Sequence, residues 1–281
     1  MSSTESSACN HDNIKETIHG RFRHLTLDPR GVATVMLNRP EKHNALDPDM
    51  FYGLHDTFMQ LAEDQSVRVV VLTGAGKSFC AGADLTHMKR LSDASESENF
   101  SDAMAISRCM RTVDEFSKPV IARINGNTFG GGVGLIACCD IAIAASQAKY
   151  SLSEVKLGLV AAVISPYVLA AIGQRQARRL LLTAKTFDAM EAREIGLIHE
   201  HVDQQELDKA VDQQIDLLLQ GGTEAQQATK RQLREVGYLT PEDRDLIAAR
   251  TAKTLARLRK SEEGREGIQA FLQKRKPNWS P

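Results

Sequence analysis

Three short segments of this 281-residue chain carry residue types that could do chemistry together. The first is Lys77-Ser78-Phe79-Cys80-Ala81-Gly82-Ala83-Asp84-Leu85, where small residues at 81–83 let backbone approach a ligand closely and Asp84 can cap a following helix. The second is Asn125-Gly126-Asn127-Thr128-Phe129-Gly130-Gly131-Gly132-Val133-Gly134. Consecutive glycines ahead of an apolar helix expose amide N–H groups where the helix dipole also favours negative charge. The third, Ser151-Leu152-Ser153-Glu154-Val155-Lys156-Leu157-Gly158, sets one carboxylate among apolar neighbours, a setting suited to proton transfer. Taken singly, each has a duller explanation. A glycine cluster is often just a tight turn, and a lone glutamate is more often salt-bridged or at a helix end. No Gly-Lys-Ser/Thr follows the glycines, and their spacing does not match the dinucleotide fingerprint.

The elements that must position these segments read as alternating strands and helices. Phe22–Leu27 and Val32–Leu37 form a predicted strand pair around Asp28-Pro29-Arg30-Gly31. Asp47 with Pro48 starts an amphipathic helix that runs to about Ala62. Val67–Thr73, Pro119–Ile124 and Ile141–Ala145 read as short strands, the first and last with the apolar run of strands buried on both faces. Met104–Phe116 has helical periodicity, and helices dominate after Ser165, at about 166–173, 175–183, 188–194, 206–220, 222–236, 241–260 and 262–273. The fold class expected is α/β, and each chemical segment follows a predicted strand, where such folds build sites. The helical C-terminal third must bury its apolar stripes on that core or on another subunit.

Composition narrows the function classes. A formal net charge of −1 argues against a general nucleic-acid binder, which needs a marked basic excess. No window approaches the ~18 uninterrupted apolar residues of a membrane span. Residues 1–20 are polar, lack a secretory apolar stretch, and are expected to be a disordered extension. Cys9, Cys80, Cys109, Cys138 and Cys139 form no metal-ligand spacing, so no metal site is expected, and a reducing, cytoplasmic compartment is the simplest setting.

The combination resembles the enoyl-CoA hydratase/isomerase (crotonase) superfamily. Leu37–Leu46 fits that family's N-R-P-x-x-x-N-A-L, Phe79–Leu85 its F-x-A-G-A-D-L, and Asn125–Asp140 its N-G-x-x-x-G-G-G-x-x-L-x-x-x-C-D. The likeness spans about residues 21–275 and implies a spiral of ββα units over 21–205 with a helical trimerisation region over 206–281. It implies an acyl-CoA substrate, no separate cofactor beyond the coenzyme A of that substrate, and a homotrimer or a hexamer. It places the thioester oxygen on the backbone amides of Ala83 and Gly131 and makes Glu154 the general acid/base. Substrate contacts are then expected from Arg39, Lys42, Ala81, Gly82, Asp84, Leu85, Gly130 and Gly134. Arg39 and Lys42 would sit near the pantetheine or phosphates and Ala81 near the adenine, with a phosphate contact from Lys260, Lys274 or Lys276.

One departure from the family pattern matters. Hydratases of this family usually carry two glutamates, and the first of those positions is Gly134 here. A single carboxylate suits a Δ3,Δ2-enoyl-CoA isomerase and also suffices for hydration; an inactive acyl-CoA-binding member is a third reading. Ser153, Ser165, Tyr167 or a water are the candidates to replace the missing acid, and Gly134→Glu is expected to refill its slot. Ala162 stands where dienoyl-CoA isomerases use an aspartate, which removes that reading. Val133–Ala137, Leu152–Leu159 and Val163–Val168 look most like bacterial 3-methylglutaconyl-CoA hydratases of leucine breakdown, or isohexenylglutaconyl-CoA hydratases of terpene breakdown. Such a substrate carries a distal carboxylate, for which His87, Lys89 and Arg90 are the candidates, although each could equally decorate an exposed helix.

Overall fold

The computed structural model describes residues 23–237 and 241–277, so Cys9, Phe22 and the expected N-terminal extension lie outside the described residues. Two sheets organise the chain. The larger contains β1 (Arg23–Leu27), β2 (Val32–Leu37), β3 (Val69–Gly74), β5 (Val120–Ile124), β7 (Ile141–Ala145) and β10 (Glu200–Val202), side by side in that order. The β1–β2 hairpin is antiparallel with Leu27 opposite Ala33, and Asp28 closes its turn by accepting from the amides of Arg30 at 2.8 Å and Val32 at 3.0 Å. All later pairings in this sheet are parallel. The smaller sheet holds β4 (Ser78–Cys80), β6 (Asn127–Phe129), β8 (Lys149–Ser151) and β9 (Phe187–Asp188).

Both faces of the large sheet are buried, which explains the near-continuous apolar runs. Val70 and Leu72 face the main core with α1 (Pro48–Glu63), α3 (Glu96–Asp114) and the small sheet. Their alternating neighbours Val69 and Val71 meet Leu207, Val211 and Ile215 of α7 (Leu207–Leu219). The chain therefore winds through repeated units: a long strand in the large sheet, a short strand in the small one, then a helix. These helices are α2 (Leu85–Asp93) after β4, α4 (Gly131–Ala137) after β6, and α5 (Ser165–Thr183) following β8. Gly173, at φ 70°, interrupts α5 and accounts for the two helical segments expected there.

Elsewhere the expected boundaries shift for local reasons. α1 starts as expected, with the Asp47 side chain accepting from the Met50 amide. α3 begins eight residues before Met104, because Ser95 and Glu98 form a reciprocal capping box. The short strands of the small sheet were not expected at all, since two or three residues are too few to show period-2 alternation. After α6 (Ala189–Glu194) and α8 (Thr223–Gly237), α9 (Pro241–Lys260) packs on α3, and α10 (Glu262–Leu272) packs on α2 and on the turn that carries Glu154. Among the described residues no helix is long and apolar enough to cross a membrane. Cys80, Cys109 and Cys138 are buried free thiols and Cys139 is half-buried.

Candidate active site

The three chemical segments each leave the C-terminal end of one short strand, and those strands are neighbours. β4 pairs with β6, and β6 with β8, all parallel. Strand spacing of about 4.8 Å therefore delivers residues 81–83, 130–131 and 153–154 to one edge.

A scaffold below fixes their heights. Buried Asn44 donates to the carbonyls of Ser78 at 2.8 Å, Ala75 at 2.9 Å and Phe79 at 3.1 Å, pinning β4. Leu46 then bridges to the loop after β4: its amide donates to Gly82 O at 2.7 Å, and the Asp84 amide donates to Leu46 O at 2.8 Å. Between those two bonds the Ala83 N–H finds no acceptor among the described residues. Gly131 opens α4, and its N–H is likewise without an acceptor among them, as first-turn amides are. Gly82 (φ 84°) and Gly130 (φ 48°) let the two loops lie against each other, because a Cβ on Gly82 would stand 2.9 Å from the Phe129 carbonyl oxygen. Both conformations are closed to ordinary L-residues.

Glu154 lies beside them. A Cβ on Gly130 would stand 3.0 Å from Glu154 Oε1, close enough to press on the carboxylate. Glu154 Oε2 is enclosed without a hydrogen-bond partner, and no charged group among the described residues shifts its acidity. Burial pushes its acidity up from the usual range to about 7, with only its own backbone amide pulling the other way. A carboxylic acid poised near neutrality can both take and return a proton.

These groups open onto a cavity of about 630 Å³. Ala81, Gly82, Ala83, Gly130, Gly131 and Glu154 line one part, while Leu46, Phe51, Met88, Ile106, Val163 and Ile164 supply apolar wall. Leu85 lines it too, from a position 43% exposed. Lys156, Lys274, Arg275 and Lys276 add cationic groups, with Arg275 already paired to Glu266 at 2.6 and 2.7 Å.

Other expected residues lie elsewhere. Arg39 does not reach toward a ligand: it is 9% exposed and ion-paired to Asp47 at 2.8 Å and Asp84 at 3.1 Å, tying together the N-caps of α1 and α2. Asp84 is equally committed, accepting from the amides of Thr86 and His87. Burial works to raise its pKa, but the His87 amide and Arg39 outweigh that and hold it below the usual range. Lys42 is exposed and does not line the cavity. Gly134 is buried within α4, and a Cβ there would collide with the Ile164 side chain. The space beside Gly134 is therefore taken by Ile164, which stands against the expectation that Gly134→Glu refills a vacant slot. Ser165 is spent on Ala162 O at 2.8 Å, Tyr167 packs against the main core, and neither lines the cavity, whereas Ser153 does. Of the candidates for a distal carboxylate, Lys89 and Arg90 are exposed and off the cavity, and His87 lines it. Lys260 does not line it; its neighbour Arg259 does. Arg259 went unrecognised, although Ala252, Leu255, Ala256 and Arg259 share one i, i+3, i+4, i+7 stripe that Arg257 and Lys260 do not.

Comparison with known proteins agrees with this geometry. A family model described as enoyl-CoA hydratase/isomerase matches residues 28–281. The chain is similar to a crotonyl-CoA hydratase of Syntrophomonas wolfei, 36% identical over 250 residues, covering 88% of this chain and 94% of the other. It is similar to a hydroxycinnamoyl-CoA hydratase-lyase of Pseudomonas fluorescens, 33% identical over 263 residues, covering 91% and 94%. Among solved structures, an enoyl-CoA hydratase from Shewanella pealeana superposes with a TM-score of 0.75 at 41% identity, covering 92% of this chain and 96% of that one.

Proposed function

The chain belongs to the enoyl-CoA hydratase/isomerase family, and on that premise we propose that it hydrates a 2-enoyl-CoA thioester, using Glu154 as its one acid–base group. The observation that carries this is a carboxylate with one oxygen enclosed and unpartnered, beside two backbone amides that find no acceptor among the described residues, in a largely apolar cavity. The thioester oxygen sits on the N–H groups of Ala83 and Gly131. Glu154 takes a proton from water as the water oxygen bonds C3, and the double-bond electrons move through C2 to the thioester oxygen. The amides stabilise that charge where it develops, each donor being worth about 2.7–4 kcal/mol. The resulting carboxylic acid then returns its proton to C2, and water has been added across the bond. A group titrating near 7 serves both halves.

Coenzyme A enters as part of the substrate, and no further cofactor takes part. Lys156, Lys274, Arg275 and Lys276 support phosphate binding at the cavity, with Ala81 beside the adenine. A branched glutaconyl acyl group is the finer reading, supported by the segments around Gly134, Glu154 and Ile164. Assembly as a trimer or hexamer belongs to the same reading, and the exposed Leu182 and Met190 support a partnered face.

Ile164 in the first-acid position favours a second reading, a Δ3,Δ2-enoyl-CoA isomerase in which Glu154 shuttles a proton between C2 and C4. Turnover of crotonyl-CoA, 3-methylglutaconyl-CoA and a 3-enoyl-CoA in heavy-oxygen water separates the two. Hydration labels the product hydroxyl; a shifted double bond without label identifies the isomerase. Absence of turnover on any enoyl-CoA refutes both.

A further inference from the structure

Away from Glu154, the apolar cavity wall is interrupted by a buried polar cluster drawn from three helices. His87 of α2 places Nε2 2.6 Å from Asp102 Oδ1 of α3, and Arg259 of α9 places Nη1 2.8 Å from Asp102 Oδ2. His87 and Arg259 line the cavity and are 8% and 4% exposed. Asp102 is not part of the lining. Burial works to raise the Asp102 carboxyl, but the His87 hydrogen bond and the Arg259 charge outweigh it and keep it ionised. Arg259 Nε is enclosed and has no acceptor among the described residues.

We propose that His87 and Arg259 form a subsite for a carboxylate carried by the acyl group of the CoA thioester, with Asp102 positioning both. This rests on the acyl-CoA reading of the cavity.

Three features carry it. The first is the cost of burying a charge on this stripe. Ala252, Leu255 and Ala256 already seat α9 on its neighbours, and an apolar residue at 259 would extend that packing without desolvating an ion. The second is unspent valence. A guanidinium has five N–H donors in a planar fork that matches a carboxylate, and Asp102 is bonded through Nη1 alone. A hydroxyl would meet only one donor, and the lysines Lys156 and Lys274 elsewhere on the cavity suit a phosphate. The third is charge. Arg259 and Asp102 cancel, so this stretch of wall presents no net negative charge to repel an incoming carboxylate, and His87 meets Asp102 through Nε2 alone. Phe51, with ring centroids 6.2 Å from His87, and Leu255 supply apolar surface for the methylenes leading to the carboxylate.

Calorimetric binding of glutaryl-CoA and pentanoyl-CoA to the full chain tests this. The two acyl groups have the same number of carbons, differ in the terminal carboxylate, and are saturated, so no turnover is involved. The wild type is expected to bind glutaryl-CoA at least tenfold more tightly. Arg259→Met should weaken glutaryl-CoA by tenfold or more and pentanoyl-CoA by less than twofold. The double variant Asp102→Asn, Arg259→Met removes the ion pair as a unit, strands no buried charge, and should lose the same preference if the single variant does not fold. A wild type that binds both thioesters equally overturns the subsite while leaving the hydratase reading intact. So does an Arg259→Met variant that weakens both to the same degree, which marks Arg259 as only a clamp between helices. Failure to bind either thioester overturns the acyl-CoA reading itself.

Discussion

Replacing Glu154 by Gln should remove activity and stabilise the fold, by an amount that grows with pH. The carboxyl titrates near 4.5 when unfolded and near 7 when folded, because burial penalises its ionised form. The folded chain therefore holds the proton more tightly. The stability this confers is complete below pH 4.5 and is lost as pH rises through 7. At about 1.36 kcal/mol per unit, the raised folded pKa lowers stability, relative to a neutral side chain, by about 3 kcal/mol at pH 8.5 and about 1 kcal/mol at pH 5.5. Glutamine is isosteric with the protonated acid and carries no charge, so it avoids this cost. Urea unfolding of both proteins at fixed concentration, across pH 5.5–8.5, should show the glutamine variant gaining about 2 kcal/mol over that range. A constant difference, or one that shrinks as pH rises, refutes the raised pKa of the enclosed carboxyl.

The remaining expectations concern the same edge. If Glu154 must be ionised to accept a proton from water, kcat/KM of the wild type rises with pH and levels off above about 7; a limb near 4.5 contradicts the enclosure of the group. Gly130→Ala strains a backbone at φ 48° and presses its methyl on Glu154 Oε1, so kcat should fall by tenfold or more with the fold retained by circular dichroism. Gly134→Glu forces a charge against Ile164 and Met110, and should lower stability by about 3 kcal/mol or more without raising hydration of crotonyl-CoA; a gain in hydration would show that the slot can be refilled. Asn44→Ala strips donors from three carbonyls and should cost about 2–4 kcal/mol in urea unfolding, with kcat reduced because β4 no longer holds Ala83 in place.

Much of this architecture was legible in the residues. Long β-branched runs such as Val69–Leu72 announce strands buried on both faces, and the α1 cap at Asp47-Pro48 is written in its side chains. The grouping of Ala83, Gly131 and Glu154 was legible too, as three segments in order. Its cause was not: β4, β6 and β8 are too short to leave a periodic signal, and only their pairing shows why the loops converge. The capping role of Asp84 was legible, but its ion pair with Arg39 was not, because an Arg beside a ligand-facing loop looks the same in sequence whether it faces a ligand or knots two helix caps. Arg259 was hidden in a basic run, Arg257 to Lys260, although helical periodicity singles it out as the member facing inward. The filling of the Gly134 slot by Ile164, thirty positions on, could be seen only in three dimensions.

The most direct measurement is a crystal structure of the Glu154→Gln variant with a bound enoyl-CoA. The thioester oxygen should lie about 2.7–3.1 Å from both the Ala83 and the Gly131 amide nitrogens, with C2 and C3 beside residue 154. A thioester oxygen bonded to one amide alone, or held by a side chain away from these two, would contradict the backbone anion site on which the proposed chemistry depends.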